Sequence, residues 1–226
     1  FENLALTVID GISFTIRGGI AAYNFANQIS LFIPQIFAFT FAYASFPKLL
    51  ELFADKDYGK IRDIFIKTLN EILFLVLPVV VTIFVLRVPV VRLAFGLLPN
   101  TKLDLDGTYQ IAWVLLWFAL GHVFICGKWF MYKLFYAAKD TVVPLIVSFF
   151  SFLFTIFLSQ AFTNLFSHNT KYAITDTKIT LENFFTRDVG SAAVGGVALG
   201  MSISYSLEFL FLLLIFNKTK FGLNLR

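Results

Sequence analysis

Long apolar runs separated by short polar stretches set the pattern of this chain, and about 20 such residues suffice to cross a bilayer as a helix. The run from Gly18 to Pro47, GGIAAYNFANQISLFIPQIFAFTFAYASFP, organises the rest. Pro34 sits in its middle, where it removes one backbone hydrogen bond and predicts a bend. Asn24, Gln28 and Gln35 recur at offsets of four and seven, with Asn27 beside them, so the amides share one helix face. A spanning helix cannot turn such a stripe to lipid. The stripe is expected to face other helices or water inside the protein.

The remaining runs follow in order. Residues 1–16 read as a truncated first helix carrying Asp10, and Arg17-Gly18-Gly19 as the turn after it. Beyond Pro47, KLLELFADKDYGKIRDIFIK mixes charges with apolar residues at helical spacing, which predicts an amphipathic segment at the membrane surface. Further spans are predicted over 69–88, with Pro78 at its centre, 109–132, 142–162 and 195–216. PVVRLAFG reads as an apolar half-turn and NTKLDLDG as a polar loop within a connection over 89–107. Trp113, Trp117 and Trp129 flank the 109–132 span, partly as an aromatic belt. Asp140-Thr141 ahead of Pro144 marks a helix start. Residues 164–192 form a polar loop, long for a bundle connection, expected as an extracytoplasmic insertion. The predicted fold is an all-α polytopic integral membrane bundle over residues 1–226, with one partial and five full transmembrane helices.

Composition supports the membrane reading. Only 14% of the 226 residues are charged and 58% are hydrophobic, whereas a soluble domain carries about 25% charged residues. Mean hydropathy is +0.81, and the 30 phenylalanines suit a wide lipid-facing perimeter. The net charge of +4 is spread out, with no basic run dense enough for nucleic acid. A single cysteine, Cys126, excludes an internal disulfide and any multi-cysteine metal site. The chain opens on Phe1 within an apolar run, without initiator methionine or signal-peptide n-region, so a piece of a longer protein is expected. When loops are assigned to alternate sides, eleven of the 18 lysines and arginines fall on the side of the 48–67 segment, the turn near 128–139 and the C-terminal tail. The positive-inside rule places that side in the cytoplasm.

Beside the amide stripe, two constellations carry candidate chemistry. His122, Cys126, Trp129 and Lys133 share one helix face, but a histidine and a cysteine one turn apart do not complete a metal site, and no metal is expected. Gly196, Gly200 and Ser204 form a small-residue face that lets another helix approach closely, and Glu208 extends it into the apolar run. A lone carboxylate there is protonated or paired. Glu208 therefore reads either as a proton- or cation-coupling group or as half of a structural pair with a neighbour such as Arg17 or His122. Asp10 and His122 join it as coupling candidates. No nucleophile–base pair, phosphate loop or paired carboxylates occur, so neither catalysis nor a cofactor is expected.

Four stretches in order, GGIAAYNFANQI with Pro47 after it, PVVRLAFG, FYAAKDTVVP and GVALGMSISYSLEFLFLLL, resemble the MurJ/MviN lipid II flippases of the multidrug/oligosaccharidyl-lipid/polysaccharide flippase superfamily. The resemblance covers the chain outside 164–192 and corresponds to the second six-helix half of that two-lobed fold. It implies alternating-access transport of an undecaprenyl-diphosphate-linked peptidoglycan precursor across the bacterial cytoplasmic membrane, with membrane lipids and an N-terminal half of the same protein as partners. A diphosphate and sugar-peptide headgroup cannot be desolvated in hydrocarbon, so a hydrated, cationic cavity is required. Asn24, Asn27, Gln28, Gln35, Lys128 and Lys133 are the cavity candidates, the amides alternatively acting as interhelical glue and the lysines as snorkelling anchors. The family's usual arginine in its Tyr-Ala-x-Arg motif is Gln28 here, and its Arg-Gly-x-Phe is replaced by Leu97-Leu98-Pro99. Glutamine hydrogen-bonds a headgroup but does not pair with a diphosphate as guanidinium does. That departure also admits a polysaccharide-lipid or drug exporter of the same superfamily, or a non-transporting scaffold for cell-wall assembly.

Overall fold

A computed structural model describes residues 19–95, 105–172 and 192–218, and every regular element among them is helical. Helix α1 (Gly19–Ile33) runs through a π-helical turn (Pro34–Ala38) into α2 (Phe39–Ala54). Helices α3 (Tyr58–Phe95), α4 (Leu105–Ala137), α5 (Val142–Tyr172) and α6 (Ala192–Lys218) follow. Five stretches are long and apolar enough to span a membrane: Ala21–Ala54, Tyr58–Phe95, Gly107–Ala137, Val142–Phe166 and Val194–Lys218. The predicted all-α polytopic bundle is the fold. The partial first helix with Asp10 and Arg17 lies outside the described residues, as do Leu97-Leu98-Pro99, residues 173–191 and the tail beyond Lys218.

Prolines shape the helices without ending them. At Pro34 the chain widens by one residue, and the Phe39 N–H donates to the Pro34 carbonyl, five residues back. Thr40 Oγ1 donates to the Ile36 carbonyl at 2.5 Å, satisfying an acceptor on the next turn. Pro47 does not close the span: α2 continues to Ala54 because Leu49 and Leu52 bury fully beyond it. The segment expected over 48–67 is therefore not a helix of its own. Its residues form the ends of α2 and α3, which meet at a tight corner. Lys56 adopts φ 57° there, and Asp57 Oδ1 caps α3 by accepting the Lys60 N–H at 3.2 Å. The Lys60 side chain, 2.7 Å away, holds the partly exposed Asp57 carboxyl below its usual range.

Helix α3 likewise passes both Pro78 and Pro89. Its one non-helical residue, Leu86 (φ −99°, ψ 25°), precedes Pro89 by three positions. This is where the missing proline N–H and the ring clash distort the preceding turn. Arg87 Nη1 donates to the Phe84 carbonyl at 3.1 Å at that kink. The connection expected over 89–107 thus starts only after Phe95. At the start of α5, Asp140 Oδ1 accepts the N–H groups of Val142 and Val143 at 3.1 and 3.2 Å, as the Asp-Thr-x-x-Pro pattern predicts. That helix extends to Tyr172, so the first part of the expected 164–192 loop is helical.

Helix α4 is the hub. Of its membrane window 67% is buried, against 22–33% for the other four spans. At one end, Phe65, Phe130, Phe135 and Phe216 bury together, with Phe65 5.8 Å from both Phe130 and Phe216 between ring centroids. At the other end, Trp113 and Trp117 pack edge to face 5.4 Å apart and against Phe166. These two indoles sit in a helix seam, not in the expected aromatic belt. Helix α6 lies between α4 and α5. A Cβ on Gly200 would lie 2.5 Å from the Ser159 nitrogen, and one on Gly196 2.6 Å from that of Thr163. The predicted small-residue face is the α5–α6 seam, where close backbone approach replaces a hydrophobic driving force that lipid does not supply.

Candidate functional site

The amide stripe lies on the outside of the described bundle. Ala22, Ala26 and Ile33 bury the opposite face of α1, while Asn24, Gln28 and Gln35 are exposed and Asn27 is partly so. No side chain of these four has a hydrogen-bond partner among the described residues. In hydrocarbon that state costs several kcal/mol per group, so this face needs water or polar partners. The interhelical-glue alternative does not hold within the described helices.

His122 and Cys126 share a face, as predicted, and both are buried. His122 Nδ1 hydrogen-bonds the Phe118 carbonyl of its own helix, and Nε2 has no partner among the described residues. No group of three metal-ligating side chains occurs among them.

Glu208 has a partner, but neither Arg17 nor His122. Its Oε2 accepts from Lys128 Nζ at 3.1 Å and from Ser151 Oγ at 2.8 Å. Its Oε1 accepts from Ser148 Oγ at 3.0 Å and from the Tyr132 hydroxyl. Lys128 Nζ also lies 4.2 Å from the Tyr205 ring centroid. The side chains are 12% (Lys128) and 3% (Glu208) exposed. Lys128 therefore neither snorkels nor faces an open cavity. The carboxylate gathers donors from α4 and α5, and so ties α4, α5 and α6 together. Tyr132, Ser148, Ser151 and Tyr205 were not anticipated. The available signal was one-turn pairing: Lys128 with Tyr132, Ser148 with Ser151, Tyr205 with Glu208.

Lys133 differs. Its Nζ lies 3.9 Å from the Tyr43 ring centroid and 5.5 Å from that of Phe46, on α2, and the residue is partly exposed. No carboxylate pairs with it among the described residues.

A family model described as lipid II flippase MurJ matches residues 5–174, well over half of the chain. The chain belongs to the MurJ family. It is a multi-pass membrane protein of a family whose members are transporters of the lipid II flippase type. The MurJ match covers α1–α5 and stops short of α6, which carries Glu208. Searches of curated proteins and of solved structures returned no match.

Proposed function

We propose that this MurJ-family chain forms one wall of a transporter that moves an undecaprenyl-diphosphate-linked peptidoglycan precursor, lipid II, across the bacterial cytoplasmic membrane by alternating access. An N-terminal half of the same protein would supply the opposite wall. The observation that carries the reading is the outward amide stripe Asn24, Gln28 and Gln35 on a membrane helix. Partnerless amides are tolerated where they line a hydrated passage between two lobes, and substrate sites of such two-lobed carriers lie at that interface. The headgroup would travel along this face, with its lipid tail left in the bilayer. Glu208 is assigned to structure rather than ion coupling in this proposal, because its four donors leave it no open valence.

Gln28→Glu places a carboxylate where a diphosphate would pass. It should abolish complementation of a flippase-depleted cell while protein level and membrane insertion stay normal. Full complementation would remove the transport reading and favour a scaffold. Gln28 in place of the family's arginine supports a second reading, export of a different lipid-linked or apolar cargo by the same face. Loss of activity in Gln28→Arg would favour that cargo; retained or raised activity favours a diphosphate.

A further inference from the structure

The amide stripe does not stop at Gln35. Tyr43, 51% exposed, lies on the same helix two turns further on. An ordinary repeat of 3.6 residues would rotate it roughly 80° away from Gln35, but Gln35 lies within the five-residue turn Pro34–Ala38, whose wider winding removes most of that offset. Asn24, Gln28, Gln35 and Tyr43 thus form one line along the exposed face. Behind Tyr43, Phe39 stacks at 5.1 Å and 15°, and Trp129 of α4 packs on Phe39 at 5.0 Å. Lys133 reaches across from α4 to lay its ammonium on the Tyr43 ring. Phe46 of the same helix lies 5.5 Å from that ammonium, so two rings of α2 flank it.

Resting on the transport reading above, we infer that Lys133, held on the Tyr43 ring beside Phe46, is the cationic contact for a phosphate or diphosphate group travelling along the stripe. An ammonium against an aromatic face is positioned without its charge being neutralised, so it keeps its capacity for an anion. Lys128, only five residues earlier, has spent that capacity on Glu208. Lys133 thereby takes up the charge that Gln28 does not supply. Pyrophosphate-linked polyprenols and anionic phospholipids both present this chemistry, and the test separates them.

The full chain in nanodiscs is titrated with undecaprenyl diphosphate, with undecaprenol and with phosphatidylglycerol. Lys133→Gln should weaken undecaprenyl diphosphate binding about tenfold, the loss of one charge-assisted contact, and leave undecaprenol unchanged. Lys133→Arg should stay within about threefold of the parent, because it keeps the charge. Tyr43→Leu should weaken the diphosphate about threefold by releasing the ammonium from its bed. Unchanged diphosphate binding in Lys133→Gln overturns the inference. So does an equal loss for phosphatidylglycerol, which would make Lys133 an ordinary headgroup anchor. Thermal unfolding of each variant checks that the fold is intact, and Tyr43→Leu carries the test if Lys133→Gln is unstable, unchanged diphosphate binding then overturning the inference. Complementation by Gln28→Glu would sink the transport reading without touching these affinities. Unchanged affinities beside a dead Gln28→Glu would sink only the assignment of Lys133.

Discussion

Lys128 and Lys133 stand on the same helix, five residues apart, in opposite electrostatic situations. Lys128 points into the α4–α5–α6 seam, where Glu208 neutralises it and two serines and a tyrosine complete the carboxylate's hydrogen bonds. Lys133 points toward α2, where the Tyr43 and Phe46 rings meet it and no carboxylate pairs with it among the described residues. Five residues turn a helix by well over a full revolution, so a small step along the sequence separates an internal tie from a cation left open to a ligand. A charge in a membrane helix is therefore not a site by itself. What decides is whether a counter-charge already sits on it.

Breaking the buried pair should have the largest effect. Glu208→Ala or Lys128→Ala leaves an uncompensated buried charge and should cost about 3–5 kcal/mol, read as a large fall in thermal unfolding temperature in detergent or nanodiscs. The double variant Lys128→Met with Glu208→Leu should recover most of that loss, since an apolar replacement of a buried pair is often neutral or better. Failure of the double variant to recover would mean that Glu208 does more than balance Lys128. Next, Gly200→Leu should force α5 and α6 apart and cost about 1–3 kcal/mol, because a Cβ at this position already meets the Ser159 backbone at 2.5 Å. Reduced yield of folded protein and loss of protease resistance would report it.

Lys133→Gln sharpens the contrast from the other side. Its stability should stay within about 0.5 kcal/mol of the parent, since no charged partner is orphaned, while transport falls. A drop in stability comparable to that of Lys128→Ala would erase the distinction between the two lysines. The smallest effect belongs to the corner, where Asp57 and Lys60 pair in water. The Asp57 carboxyl is held below its ordinary value of 3.8. The stabilisation of the α2–α3 corner is thus fully present above that value and fades as the pH falls below it through the lowered one. Proteolytic nicking near residues 55–57 should rise slightly over that acidic range, and Asp57→Asn should abolish the pH dependence.

The spans were legible because each is a long apolar run, and in a bilayer such a run satisfies its backbone hydrogen bonds only as a helix. The cap at Asp140 and the Gly196–Gly200 seam were legible for the same local reason, as residue type and spacing determine both. Helix ends at proline were not. Pro47 and Pro89 each cost one backbone bond, but Leu49, Leu52 and Val91 bury fully beyond them and hold the helix together. The partner of Glu208 was hidden as well, since Lys128 lies 80 residues away along the chain.

Sequence alone showed which stretches are apolar enough to span a membrane, which faces of α1 and α6 are special, and the family that the chain resembles. Those properties follow from period and composition, which act between near neighbours. Tertiary structure decided that the amide face looks outward, that the π-helical turn brings Tyr43 into line with it, and which lysine is neutralised. Such outcomes depend on how helices rotate against one another, and that rotation is chosen by packing between residues far apart in the chain.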